Sequence, residues 1–491
     1  MESVSRSPMH RDPPDPGLPI KLGPCSNGEY DPEPITPLIA EVIKRSYAEA
    51  DVVSRRLGVS RRDFLKTVSA SALVLLILDE VAAEAAEGPV GGRYLIDPLA
   101  RFDLDAASDA LGGDQWVFDL QGHLLEYDLN PATRDNWFWG SQFPQADCTG
   151  EDDPRACFSM EHFLEEIFLR SDTTMVAISG LPLLPEGSAL SNELMDETRR
   201  VVEALGRHER VIVNAQALPQ IAPWSAIQEE MERSVADFGV RGWKTFTHFP
   251  SGQPWWLDDH DPDLPQVGET FIQQASLLDR PIVLVHKGLS GGSRYSSPID
   301  IGPAAAAHPD VSFIVYHSGF EVANTEGPYR DNNLGVNRLI ASVQSAGMGP
   351  GGNVYAELGT TWWNLMRRPN EAAHVLGKLL VALGSDNVVW GTDSIFYGSP
   401  QDQIEAFRAF EITQEFQETY GYPALTGDIK RKILGENAGR VYGLNPVRTP
   451  LQYSPADLAT IRSQLPHPNR TYGPKTDREV SAFRAHHQGW P

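Results

Sequence analysis

Eight short apolar runs, each followed by a stretch of helical period, recur between about residues 113 and 410, and this alternation leaves few ways to fold. The runs are 116–120, 174–179, 211–215, 242–247, 281–286, 312–317, 353–358 and 387–391, with helix-period segments such as 193–205, 226–238 and 372–383 between them. Strands that alternate with helices are parallel, because each crossover returns the chain to the same end of the sheet. Right-handed crossovers then close eight of them into a TIM-type (β/α)8 barrel of the α/β class. An open doubly wound sheet is the competing arrangement, but no glycine-rich phosphate-binding turn follows an early strand.

In such a barrel the reacting groups stand where strands end. The first run, Val117 to Glu126, presents Gln121 and His123 with one residue between them, so at a period of two both leave on one face. His286 follows the fifth run, His317 the sixth and Asp393 the eighth, with Lys244 and His248 around the fourth and Glu357 near the seventh. Neutral imidazoles beside a carboxylate suit a divalent first-row metal that keeps a position open for water or substrate. A histidine standing alone would be an ordinary core residue; several in register at strand ends make a site. Lys244 is read equally well as one half of a structural ion pair.

Outside the barrel, residues 1–59 are rich in proline, charge and small polar residues, with one amphipathic patch near Ile39 to Tyr47, and are expected to be disordered. Residues 60–87 carry the pair Arg61-Arg62, then Phe64-Leu65-Lys66, the apolar run Val68–Leu78 and a small-residue site near Ala85. That order reads as a twin-arginine export signal, interrupted by Asp79 and Glu80, and predicts an exported protein, membrane-tethered if uncleaved. A basic-tipped helix packed on the protein is the competing reading. Residues 88–112 are a linker, 113–445 the barrel with an inserted loop after its first strand, and 446–491 a wrapping tail. Cys148 and Cys157 flank a short acidic segment and would close a small disulfide loop outside the cytosol, or stand as two separate thiols. The formal charge of −25 excludes nucleic acid as a partner.

The first-strand Asp119-x-Gln121-x-His123, His286 in Val-Leu-Val-His-Lys-Gly, His317 in Ile-Val-Tyr-His-Ser-Gly, Asp393 in Trp-Gly-Thr-Asp-Ser and the closing Gly435-Glu436-Asn437-Ala438 together resemble the amidohydrolase superfamily. The branch is the one typified by aminocarboxymuconate-semialdehyde decarboxylase. The resemblance spans residues 115–445 and implies one metal, zinc first and manganese or iron as alternatives. It also implies His123, His286, Asp393 and the Gln121 position as ligands, with His317 and Asp393 as catalytic groups. Gln121 departs from the pattern, which has histidine there. An amide oxygen is a weaker zinc donor than imidazole, so metal affinity falls, even to a metal-free site, unless Glu126, His248 or Glu357 compensates.

Two reactions suit such a site: hydrolysis of a C–O or C–N bond by metal-activated water, and non-oxidative decarboxylation of an aromatic or dienoic acid. A barrel that binds a small molecule without turning it over is the non-enzymatic alternative. Loop residues Trp137–Trp139, Trp255, Trp256, Arg294, Tyr329, Arg330, Trp362 and Trp363 predict an aromatic rim with a few arginines, suited to a small aromatic or acidic substrate. Arg294 and Trp362 are the expected substrate contacts. The partners expected are that substrate, the twin-arginine translocase and a second copy of the chain in a homodimer.

Overall fold

β-Branched and large aliphatic residues dominate the eight runs, and each run forms a strand where its pattern places it. The strands are β1 (Phe118–Gly122), β2 (Met175–Ser179), β3 (Val211–Gln216), β4 (Gly242–Phe246), β5 (Ile282–His286), β6 (Ser312–Tyr316), β7 (Val354–Glu357) and β8 (Val388–Val389). The computed structural model describes residues 17–126, 146–148, 153–182, 188–206, 208–248, 253–289, 293–445, 455–465 and 470–486. The eight strands pair in sequence order, and each pairing is parallel. Across the seam a parallel bridge joins Gly122 to Ser394, and Leu120 N donates to Trp390 O at 3.1 Å. The sheet is a nearly closed barrel.

The period of two divides the strand residues between two apolar layers. Phe118, Leu120, Met175, Ala177, Ile282, Leu284, Ile314 and Tyr316 fill the barrel interior. Val117, Val176, Ile178, Val283, Val285, Phe313 and Val315 face the surrounding helices. By that phase Gln121 and His123 would point outward, away from any site. The register corrects this: Asp119 pairs with Val176 and Gly122 with Ile178, so β1 carries one extra residue between the two pairings. Such a bulge flips the phase of the residues beyond it, turning Gln121 and His123 toward the barrel axis. Gly122 takes the outward position, where a Cβ would come within 2.6 Å of Val176 Cγ2.

The N-terminal region differs from expectation. Residues 17–59 are not disordered: residues 17–36 form an extended strap that buries Ile20, Leu22, Cys25 and Tyr30, and helix α1 (Pro37–Leu57) follows. Thr36 caps α1 by accepting from Ile39 N at 3.2 Å, Gly58 ends it in the left-handed conformation, and Ile39, Val42, Ala50 and Val53 form its buried stripe. The amphipathic patch near Ile39 is the part of that stripe legible as sequence. Helix α2 (Val68–Ala85) contains the apolar run, and Ala70, Ala72, Leu73, Val74, Leu75 and Leu78 are fully buried in the main core. No helix among the described residues is long and apolar enough to cross a membrane. In the linker, Gly92–Tyr94 pairs antiparallel with Phe410–Ile412.

The tail wraps, and it also clasps the strap. Tyr472 N donates to Phe396 O at 2.8 Å and Ser26 N to Pro474 O at 2.8 Å, while a Cβ on Gly473 would overlap Ser26 O. Cys148 and Cys157 form a disulfide with Cα atoms 5.1 Å apart, and Cys25 is free and buried. Trp137–Trp139 of the inserted loop lie outside the described residues.

Asp79 is a partly buried carboxyl on α2, and burial pushes it up to about 7 although Tyr94 N donates to it at 2.7 Å. Between the unfolded value of 3.8 and about 7 the folded chain holds the extra proton, so this group's contribution to stability falls as pH rises through that window. Asp79→Asn keeps an acceptor for Tyr94 N and removes the charge. The variant is expected to match the parent in thermal melts at pH 4 and to gain roughly 1–2 kcal/mol at pH 8.

Candidate active site

At the C-terminal mouth the strand ends bring His123, His286, His317, Gln121 and Asp393 together, all with 3% exposure or less. Asp393 is the hub. Its Oδ2 accepts from Asn27 Nδ2 at 2.8 Å and Thr360 Oγ at 2.6 Å, and its Oδ1 accepts from Gln121 Nε2 at 3.0 Å. His123 Nε2 lies 3.2 Å from the same Oδ1. Burial raises the Asp393 carboxyl, but the His123 hydrogen bond and charge, with His317 and Thr360, outweigh it and hold the group well below the ordinary carboxylate range.

The two ring nitrogens of each key histidine have different partners. His123 Nδ1 meets the Ser179 carbonyl at 2.9 Å and His317 Nδ1 the Gly359 carbonyl at 2.8 Å. A carbonyl only accepts, so both Nδ1 atoms carry the proton and both Nε2 lone pairs face the centre. For His123 that sets a lone pair against a carboxylate, which is favourable only with a second proton or a cation between them. Burial, then the neighbouring His286, lowers His317 to about 3 and keeps it neutral at ordinary pH. His286 is likewise held well below its usual value by burial first and Lys244 second.

The backbone is strained at this mouth. His317, Ser318, Thr360 and Asp393 have φ between 52° and 62°, the left-handed region that costs a residue with a Cβ of order 1 kcal/mol or more. Glu357 holds the turn: its Oε2 accepts from His317 N at 3.0 Å and its Oε1 from Gly359 N at 2.5 Å. Behind His286, the buried Lys287 donates to Thr247 Oγ at 2.9 Å and to Asp300 Oδ2 at 2.9 Å, fixing the loop that follows β5.

One participant was invisible in the sequence. Glu29, from the strap, enters the mouth with Oε2 3.2 Å from His286 Nε2. That contact is short without hydrogen-bond geometry, and Glu29 Oε2 has no hydrogen-bond partner. Among the described residues, the group of acidic and histidine side chains able to converge on one ion is Glu29, His286 and His317, whose ligand atoms lie within 4.8 Å of one another. The residues expected to compensate for Gln121 do other work. Glu357 spends both oxygens on backbone N–H groups, His248 packs beside His286 with ring centroids 5.1 Å apart, and neither His248 nor Glu126 belongs to the converging group. Asn27 and Glu29 are joined by a turn in which Glu29 N donates to Asn27 Oδ1 at 3.0 Å. Asn-Gly-Glu is the only trace of it in the sequence, and periodicity cannot register a single turn.

The expected substrate contacts are placed elsewhere. Trp362 is 1% exposed, donates from Nε1 to Gln403 O at 2.9 Å and packs edge-on against Phe407 and Phe410. It belongs to a helix–helix contact, because the chain after β7 turns straight into the helix Thr361–Leu365 instead of running out as a rim loop. Arg294 is exposed and lies over the Tyr295 ring, 4.5 Å from its centroid, away from the enclosed cavity. That cavity has a volume of about 20 Å³ and is lined by Asn27, Glu29, Gln121, His123, Lys244, His286 and Asp393 among others. Lys244 points inward from β4 with its Nζ 3.5 Å from the Tyr316 ring centroid and no hydrogen-bond partner, and burial, only partly offset by Glu29 and Glu357, lowers it to about 7.

With this geometry in view, three comparisons bear on the chain. The model of the amidohydrolase family Amidohydro_2 matches residues 194–444, a stretch that holds His286, His317 and Asp393 and begins after the first two strands. An uncharacterised TIM-barrel protein from Bordetella bronchiseptica is similar over 67% of this chain and 98% of its own, at 14% identity and a TM-score of 0.43. A 2,6-dihydroxybenzoate decarboxylase from Rhizobium is similar over 67% of this chain and 99% of its own, at 16% identity and a TM-score of 0.39. A 5-carboxyvanillate decarboxylase from Sphingomonas paucimobilis is similar over 67% of this chain and 100% of its own, at 12% identity and a TM-score of 0.37. No curated protein matches the sequence.

Trp362→Ala tests the placement of that side chain. Removing a buried indole is expected to cost about 3–5 kcal/mol in chemical denaturation while leaving divalent-metal affinity of the folded protein unchanged.

Proposed function

The chain belongs to the amidohydrolase family, and from that premise we propose that it is a metal-dependent hydrolase acting on a C–O or C–N bond of a small substrate. The observation that carries the reading is His317 Nε2, a lone pair held toward a buried ring of donors by the 2.8 Å bond from Nδ1 to Gly359 O. The donor set fits a divalent cation. His123 Nε2 faces the Asp393 carboxylate and buried Glu29 Oε2 lacks a hydrogen-bond partner, an arrangement that is costly unless a proton or a cation sits there. Of the ligands the family resemblance assigns, His123, His286 and Asp393, His286 is the one in the converging group, and imidazole with carboxylate favours zinc, with manganese or iron as alternatives. A bound divalent cation supplies Lewis-acid polarisation of a substrate oxygen.

The residues of the chain do the rest. His317, neutral and fixed in one tautomer, takes a proton at Nε2 from the attacking nucleophile and returns it to the leaving group. The cavity of about 20 Å³ has room for one water molecule, the nucleophile of hydrolysis. Lys244 brings an amine to the oxygen on which charge develops, in surroundings where burial makes such a contact strong. On the other side of the strap lies a groove of about 890 Å³ that Tyr30, Arg367, Arg368 and Arg484 help to line, while Glu29 faces the inner cavity. That groove is within the size range of small-molecule sites.

Lys244 also favours a second reading. A buried amine without a hydrogen-bond partner is a place for a substrate carboxylate, and with His317 delivering a proton to carbon the same mouth would release carbon dioxide. Esters, lactones, amides and aromatic acids assayed in ¹⁸O-water separate the two. Label in a product carboxyl group without gas release is expected; carbon dioxide release with no label in the organic product would replace the first reading by the second. His317→Asn is expected to lower kcat by about 10²–10⁴-fold with metal content unchanged.

We propose further that the protein is exported through the twin-arginine route with residues 60–87 retained. The support for export is the Arg61-Arg62 motif; the support for retention is the burial of α2 in the core and the loss of Asn27 and Glu29 that cleavage near Ala85 would bring. The double variant Arg61→Lys, Arg62→Lys should accumulate in the cytoplasm, and mass spectrometry of the exported protein should find peptides from the strap. A mature chain beginning near residue 86 would overturn the retention.

A further inference from the structure

We propose that Glu29, carried by the N-terminal strap, is a carboxylate ligand of the cation site and makes good the donor that β1 lacks at Gln121. The inference deepens the metal-dependent reading above and rests on it. Gln121 occupies the position where its branch of the family is expected to supply a ligand, but its amide is turned the other way. Its Nε2 donates to Asp393 Oδ1 at 3.0 Å and faces His317 Nε2 at 3.4 Å. A carboxylate only accepts, so the amide nitrogen and not the oxygen must point into the centre, and a donor nitrogen cannot bind a cation. Gln121 therefore orients the ligands around it and leaves one coordination position without a protein donor.

Glu29 stands where that donor is needed. It is 6% exposed, its Oε2 is 3.2 Å from His286 Nε2, and that oxygen accepts no hydrogen bond. A buried carboxylate oxygen in that state is costly unless a cation or a proton meets it. Its ligand atom lies within 4.8 Å of those of His286 and His317, close enough for an ion held by Glu29 and His286 to sit beside the His317 lone pair. Asp393 and Glu29 together carry two negative charges, the number that balances a divalent cation among neutral imidazoles.

The strap is built to hold Glu29 still. Upstream, Lys21 pairs with Asp402 at 2.9 Å, with side-chain exposures of 4% and 0%. On either side of Glu29, Asn27 is bonded to Asp393 and Tyr30 OH to Tyr397 OH at 3.0 Å. Gly28 N donates to Ser26 Oγ at 2.9 Å, Ser26 N is tied to the tail at Pro474, and Arg484 Nη2 donates to the Glu29 carbonyl at 2.8 Å. A side chain fixed on both sides pays little ordering entropy when it binds an ion, as a ligand in a tight site must.

The test uses full-length protein stripped with a chelator and titrated with Zn²⁺ by calorimetry, with bound metal counted by elemental analysis. The parent is expected to bind one zinc per chain. Glu29→Gln, which keeps the shape, should weaken binding on the order of 10–100-fold. Adding Gln121→Glu to that variant should restore affinity to within about tenfold, and the visible spectrum of the Co²⁺-loaded protein should change with Glu29→Gln. Without metal, Glu29→Gln should melt at or above the parent, because it removes an uncompensated buried charge; a lower melting temperature would identify Glu29 as a strap anchor and overturn the proposal. Zinc bound by Glu29→Gln as tightly as by the parent, with His286→Ala losing it, would overturn the role of Glu29 alone. A parent that binds no divalent metal would remove the metal-dependent reading, and this inference with it.

Discussion

The Asp393 carboxylate is the point on which three separate parts of the chain depend. Its Oδ2 is held by the strap through Asn27 and by the loop after β7 through Thr360, and its Oδ1 receives Gln121 from β1. A carboxylate buried to this degree is tolerable only when its lone pairs are taken up, so the strap and the strand-end loops are held to it by electrostatics more than by apolar contact. The seam of the barrel runs through the same residues, since His123 N donates to Ser394 O at 2.6 Å beside the bridge between Gly122 and Ser394. Closing the sheet therefore also places the strand-end half of the site.

The barrel was legible because its signals are periodic. Runs such as Ile282–His286 alternate between an interior and a helix-facing layer, and each ends on a polar residue that the apolar pattern singles out. His286 and Asp393 follow directly from that. Gln121 and His123 were assigned to the same face correctly, but which face depended on the bulge between Asp119 and Gly122, and one extra residue in a ladder leaves no mark in composition or hydropathy.

The part of the site that the sequence hid is the part that is not periodic. Residues 17–36 have the composition of a disordered segment, yet the strap needs no core of its own because it borrows that of the barrel and the tail. Its contacts are single hydrogen bonds and ion pairs across hundreds of residues, such as Lys21 with Asp402, and no local pattern announces them. Trp362 failed in the opposite direction: an aromatic beside a strand end reads as a rim residue, and only the helix beginning at Thr361 shows it to be packing. The apolar run of α2 is ambiguous in the same way, since an export signal and a fully buried helix demand the same residues.

The clasp between Gly473 and Ser26 brings the strap and the tail together over the mouth. The bond from Asn27 to Asp393 spans 366 positions and that from Arg484 to the Glu29 carbonyl spans 455. During synthesis the strap leaves the ribosome before the barrel and the tail and has nothing to bind until both have emerged behind it. Contacts of such long sequence separation form late and slowly. The chain is therefore a finished barrel before it is a finished site, and a truncation of a few residues near Tyr472 would release the strap at the opposite end of the sequence while leaving the eight strands paired.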